Sequence, residues 1–193
     1  MTCDPAAFTA FQGTDRLAAG PAAEVALAVR AAQDRAPEKP VLIFDDRTGR
    51  QVDFDLRGSP EEIRARLAAP AETTEQRGPG RPRLGVAARE VTLLPRHWDW
   101  LNAQPGGASV ALRRLVEAAR TSHAAGDAAR LARQAADAFM LAMAGNLPGY
   151  EAASRALYAG DRARFEAETA AWPADLRAHA RRLAAAGLGP EAA

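Results

Sequence analysis

The sequence predicts an α+β fold: a small N-terminal mixed α/β unit, a central strand-helix-helix segment and a C-terminal helical segment. Short apolar or alternating runs, which are typical of strands, fall in the first third of the chain. From residue 121 onward the composition is dominated by strong helix formers such as Ala, Leu, Arg and Glu. A Pro- and Gly-rich stretch predicts a linker or arm between the N-terminal unit and the central strand-helix-helix segment. The expected boundaries are therefore 1–69, 70–88, 89–120 and 121–193.

The strands of the N-terminal unit are predicted from pattern. Residues 8–11 are apolar, and residues 16–18 are expected to pair back onto them through a short turn. Residues 41–44 form a second apolar run, and residues 51–56 alternate polar and apolar side chains. The intervening residues 45–49 predict a hairpin turn.

Two acidic residues and a glycine define that predicted turn. We expect Gly49 to adopt a positive φ there. Asp45 and Asp46 could suggest a metal site or an acid/base pair, but in a turn such side chains more often bond to nearby backbone groups. We therefore expect Asp45 and Asp46 to have a structural role.

Helices are predicted from apolar spacing and from their start and stop signals. One begins at Pro21, and another is capped by Ser59, with Pro60 at its first position and Glu62 completing a capping box. Beyond residue 120, three or four helices are expected between the breakers Gly126, Gly145, Pro148, Gly149, Gly160 and Pro173.

Composition limits the functional classes. With 193 residues and a net charge of +1, the chain can bury a core but has no global attraction for nucleic acid, so DNA binding would need a local patch. Cys3 is the only cysteine, which fits a reducing compartment. The sequence has no apolar run near the ~20 residues of a membrane span and no signal-peptide pattern at its start. We expect a cytoplasmic protein that does not bind membranes.

A basic arm is the first candidate for DNA binding. The run Gly80-Arg81-Pro82-Arg83 resembles the core of an AT-hook, in which arginines enter the narrow minor groove. Pro79 stands where that pattern has its first arginine. The alternative is an exposed linker that its arginines keep soluble.

Residues 89–120 provide the second candidate. Residues 89–94 predict a strand, residues 95–104 a first helix, and Gly106 and Gly107 a turn before a second helix. This order resembles a ribbon-helix-helix module, in which two chains pair one strand each and place the ribbon in the major groove of double-stranded DNA. The resemblance implies a homodimer.

The resemblance also implies roles for individual residues. Thr92 and Glu90 would face base edges, and the backbone of Gly107, Ala108 and Ser109 would hold a phosphate. Charge would come from Arg81, Arg83, Arg113 and Arg114. Glu90 is ill suited to this position, because phosphate repels it unless it accepts a hydrogen bond from a cytosine. The alternative is a protein-interaction or structural module in which residues 89–120 are internal core.

No residue pattern indicates an enzyme. His97, His123 and His179 lack metal-ligand spacing, and the sequence contains no nucleophile arrangement, P-loop or dinucleotide fingerprint. We therefore expect no catalytic residue, no metal and no cofactor, and an enzyme ranks third among the functional hypotheses.

Several strings are distinctive of one family. They are FTAFQG, VLIFDDRTGRQVDFDLRG, GRPRLGV, EVTLLPRHWDWLNAQPGGASVALRRLVEAAR and GNLPGYEAASRALYAGDRARFEAETAAWPADLRAHA. Over nearly its whole length the chain resembles a bacterial family of uncharacterised proteins. That resemblance implies no activity, cofactor or site.

Overall fold

The computed structural model describes residues 7–68 and 89–189. These residues divide into two compact units. The first comprises residues 7–68 and 126–189, and the second comprises residues 89–125. A four-stranded antiparallel sheet and seven helices make up the described chain, which confirms the predicted α+β class.

The sheet lies in the first unit. Its strands are β1 (Ala7–Gln12), β2 (Asp15–Pro21), β3 (Val41–Asp45) and β4 (Arg50–Val52), in the order β2-β1-β3-β4. The predicted pairings of β1 with β2 and of β3 with β4 are confirmed. The last strand ends at Val52, so the prediction that it extends to Leu56 is wrong.

Seven helices follow the chain order. They are α1 (Ala22–Arg35), α2 (Pro60–Leu67), α3 (Pro95–Asn102), α4 (Gly107–Ala144), α5 (Tyr150–Ala159), α6 (Arg162–Glu168) and α7 (Ala174–Ala184). The capping box of α2 is confirmed, since the Ser59 N–H donates to Glu62 Oε2 at 2.7 Å and the Glu62 N–H donates to Ser59 Oγ at 3.2 Å.

The core of the first unit has two layers because successive strand residues face opposite sides of the sheet. On one side, Ala10 and Ile43 pack with Val25 and Val29 of α1. On the other side, aromatic rings of β1, β3 and α4 meet. The Phe139 ring centroid lies 5.4 Å from that of Phe11 and 5.0 Å from that of Phe44. Residues Ala136, Met140, Leu157, Phe165, Leu176 and Ala180 extend this second layer.

Two sequence predictions for the central region are wrong. Residues 89–94 form no strand; an isolated alternating run lacks the partner whose hydrogen bonds would define one. The second helix does not end near residue 120, and Gly126 does not interrupt it. A single interior glycine costs only about 1 kcal/mol of helix stability, and α4 continues through it for 38 residues in total.

Candidate functional site

The residues predicted to contact DNA are only partly brought together. Arg81 and Arg83 lie outside the described residues. Thr92 is exposed in the irregular segment before α3. Four of the predicted residues share the first two turns of α4, where they are partly or fully exposed: Gly107, Ser109, Arg113 and Arg114. The Arg113 Nε–H donates to the Ser109 carbonyl at 3.2 Å, which holds that guanidinium along the helix.

The second unit presents an unusually apolar surface. Within its residues 89–125, Leu101 and Ala111 are the only buried ones. Large apolar side chains are instead exposed: Val91, Leu94, Trp100, Val110, Leu115 and Val116, with Trp100 at 51% and Val116 at 62%. The expectation that residues 89–120 are internal core is therefore wrong. Exposed apolar side chains that lie close together typically mark an interaction site, and Leu115 and Val116 are neighbours on α4.

Helix α4 has a stripe of mostly apolar and small residues with alternating three- and four-residue spacing. In its N-terminal half the stripe runs through Leu112, Leu115, Ala119, Ser122 and Gly126. The same spacing continues through Ala129, Arg133, Ala136, Met140 and Met143. Ala136 and Met140 are fully buried, whereas every residue from 113 to 128 is exposed. Such spacing is typical of helices that pack along a partner helix, so residues 112–126 have the pattern of a packing face.

The first unit contains a polar cluster around the buried His179 that the sequence analysis did not predict. It joins β1, the β3–β4 turn and α7 through Thr9, Asp46, His179 and Arg182. Asp46 Oδ2 accepts hydrogen bonds from Arg182 Nη2 at 2.8 Å and from the Thr9 hydroxyl at 3.1 Å. His179 Nδ1 lies 3.0 Å from Arg182 Nη2.

These contacts fix the protonation of His179. Because the Arg182 guanidinium can only donate, His179 Nδ1 must accept, and the ring proton of the neutral imidazole is then on Nε2. That atom lies 3.5 Å from Asp46 Oδ1, and neither atom has a hydrogen-bond partner within bonding distance. The Nε2 proton also excludes a metal at this point, since a metal needs the free lone pair. Among the described residues no cluster of His, Cys, Asp and Glu is suited to a metal ion.

Burial determines the charge of His179. The imidazole is 1% exposed. This burial, together with the positive charges of Arg182 and Arg16, lowers the pKa of His179 to about 3. The carboxylate of Asp46 favours the protonated ring, but Arg182 already neutralises that carboxylate at 2.8 Å. His179 is therefore neutral at ordinary pH, and the cluster is a structural link between α7 and the sheet.

A second polar group lies between α4 and α5. Asp137 accepts hydrogen bonds from the Ser154 hydroxyl at 3.2 Å and from the Tyr158 phenol at 3.1 Å. Burial and the Asp137 carboxylate raise the pKa of Tyr158 above its usual range. Both hydroxyls thus remain protonated donors, and the arrangement joins two helices without activating a nucleophile.

One signal in the sequence could have identified the buried histidine. His179 falls in the apolar series Leu176, His179, Ala180 and Leu183, which has the spacing of one helix face. A histidine within such a series is expected to be buried. Helical spacing cannot predict the contact of His179 with Asp46, because the two residues are distant in sequence.

The fold and its sites define an α+β protein with a structural polar core and an exposed apolar surface on a long helix. The chain belongs to the family described as "uncharacterized protein conserved in bacteria" (DUF2239), whose model matches residues 7–184. No curated protein and no solved structure matches it significantly. The ribbon-helix-helix resemblance of residues 89–120 is not supported, because its strand is not formed. None of the described helices combines the length and apolarity that crossing a membrane requires.

Proposed function

We propose that this protein is a protein-interaction module whose docking surface lies on residues 89–125. The observation that carries the proposal is the exposure of six large apolar side chains in that unit. A partner that buried one of these side chains completely would gain roughly 1.5–3 kcal/mol of binding free energy from it. The matching partner is a protein that presents an uncharged apolar face.

The distribution of charge on α4 supports this proposal. The charged residues of its exposed half are Arg113, Arg114, Glu117, Arg120 and Asp127. By helical geometry the first four project away from the Leu112–Leu115–Ala119 stripe, and Asp127 lies at its edge, paired with Arg130 at 3.1 Å. Glu117 and Arg120 pair with each other at 2.8 Å. A partner can therefore cover the stripe without desolvating a charge, which would be costly.

Site-specific crosslinking tests the proposal. We expect a photoreactive residue at Val116 to give discrete crosslinked products in cells that produce the protein, because this position lies on the docking face. The same residue at Thr121, which is also exposed but lies on the charged face, should give none. The products at Val116 should disappear when Leu115→Glu is added. Equal crosslinking at both positions, or none at Val116, would contradict the proposal.

DNA binding is a second candidate function, and one observation favours it. Arg113 and Arg114 are exposed next to the first turn of α4, whose free N–H groups can hold a phosphate. This charged face lies opposite the apolar stripe, so one helix could hold a protein partner and DNA at once.

A salt series tests the DNA candidate on random duplex DNA. Binding through phosphates predicts a log–log slope of roughly −0.9 per phosphate neutralised. The double variant Arg113→Ala/Arg114→Ala should make that slope shallower by about 2. The matched control Arg155→Ala/Arg164→Ala removes the same charge from exposed positions on α5 and α6 and should leave the slope unchanged. If the full-length protein does not bind DNA at low salt, this candidate is excluded.

A further inference from the structure

Resting on the docking function proposed above, we infer that the partner of α4 is a second copy of this chain, which pairs its own α4 in the antiparallel direction. The interface would be the stripe of residues 112–126 on each copy, and a twofold axis would cross the two helices near residues 120 and 121. Such a pair is isologous, since each copy contributes the same surface.

The size of the side chains along the stripe favours this arrangement. Large residues occupy its N-terminal end, at Leu112 and Leu115, and small residues occupy its C-terminal end, at Ser122 and Gly126. Antiparallel pairing places Leu115 of each copy against Gly126 of the other, and Ala119 against Ser122. The two outer layers then each join a large and a small side chain, which close packing favours, and the two central layers join Ala119 to Ser122, which are similar in size. Parallel pairing would instead place Leu115 against Leu115 and Gly126 against Gly126.

Charge is compatible with self-pairing. The positions that flank the stripe are Val116, Ala118, His123 and Ala125, none of which carries a permanent charge. Two copies therefore meet without like charges between them, whereas an acidic or basic partner would find no complementary charge on this face.

The available area predicts a weak dimer. Residues 112–126 span about 22 Å at 1.5 Å per residue. Pairing two helices of this length buries on the order of 1,000 Å², which is near the lower limit for a specific interface. We therefore expect a dimer with a dissociation constant in the micromolar range.

Sedimentation of the full chain over a range of concentrations tests the inference. The wild-type protein should change from monomer to dimer across the micromolar range, and Leu115→Glu should remain monomeric throughout. Leu131→Glu is the matched control, because Leu131 of the same helix is 52% exposed, against 45% for Leu115, but projects from the opposite face and lies outside residues 89–125. It should dimerise like the wild type. Circular dichroism of each variant should be unchanged, since both positions are exposed.

Disulfide trapping tests the direction of pairing. In a Cys3→Ser background, chains with Ala119→Cys should be mixed with tagged chains with Ser122→Cys. The antiparallel register predicts that the mixed disulfide forms at least tenfold faster than either symmetric one. Faster formation of the Ala119→Cys symmetric product would show parallel pairing and overturn the inferred arrangement.

The inference and the proposed function fail in different ways. A wild-type protein that stays monomeric at every concentration overturns self-pairing, including the case in which another part of the same chain covers the stripe. The docking function is then still supported if Val116 crosslinks to a different protein and Thr121 does not. Loss of both the dimer and the Val116 crosslinks overturns both.

Discussion

Replacing Gly49 by alanine is expected to destabilise the first unit by at least about 3 kcal/mol. Gly49 has φ = +66°, a left-handed conformation that disfavours any residue with a Cβ atom. A Cβ atom there would lie 1.8 Å from the carbonyl oxygen of Ala135 in α4. The obstacle is helix backbone, so the turn and the helix would have to separate. Chemical denaturation, read as the free energy of unfolding, measures the effect.

Gly13→Ala is the control for the Gly49 substitution. Gly13 has nearly the same φ, +62°, but a Cβ atom there would meet nothing within 4 Å. Only the conformational cost of about 1–2 kcal/mol then applies. The difference between the two variants isolates the contact with Ala135. If both lose the same stability, close packing of the hairpin turn on α4 is not important for the fold.

The two properties of Gly49 show what the sequence could and could not predict. The Asp-Asp-Arg-Thr-Gly turn is local, and its positive φ follows from the hairpin pattern. The predicted conformation is confirmed. The approach of Ala135 is not local, because it depends on how α4 crosses the sheet. No spacing rule connects a turn with a helix that lies far along the chain.

The same distinction applies to the helices. Capping of α2 and the breaks around Gly149 and Gly160 are local and were predictable, and both glycines adopt positive φ. The continuity of α4 was not predictable, because Gly126 is a weak helix breaker. Its small cost in helix stability is outweighed by the neighbouring helix-forming residues. The same helix also shows that a sequence pattern cannot tell a buried face from an exposed one. The amphipathic pattern at residues 112–119 indicated a buried face, but Leu115 and Val116 are exposed.

The buried cluster also combines predictable and unpredictable parts. Asp45 forms the local turn contact that we expected of these carboxylates, since its Oδ1 accepts from the Arg47 N–H at 2.8 Å. Asp46 instead points to α7, where its carboxylate contacts Arg182 and His179. Sequence pattern assigned the same role to two adjacent residues, and only tertiary packing separates them.

Lowering the pH from about 6.5 to about 3 is expected to destabilise the protein through His179. In the unfolded chain this histidine takes up a proton near pH 6.5, its unperturbed pKa, whereas in the folded protein it does so only near its pKa of about 3. Because the unfolded state binds the extra proton throughout this interval, stability is full above pH 6.5 and is lost progressively below it. The loss attributable to His179 reaches about 5 kcal/mol at the acidic limit.

Two substitutions separate this effect from general acid denaturation. His179→Gln removes the titrating group but keeps similar volume and an amide that can donate to Asp46 Oδ1. We expect it to lower stability at pH 7 yet flatten the decline between pH 6.5 and 4 by up to 1.4 kcal/mol per pH unit relative to wild type. His123→Gln, at an exposed position on α4, should leave the decline unchanged. Parallel curves for wild type and His179→Gln would mean that the histidine titrates alike in the folded and unfolded states, and that its burial against Arg182 does not control its charge.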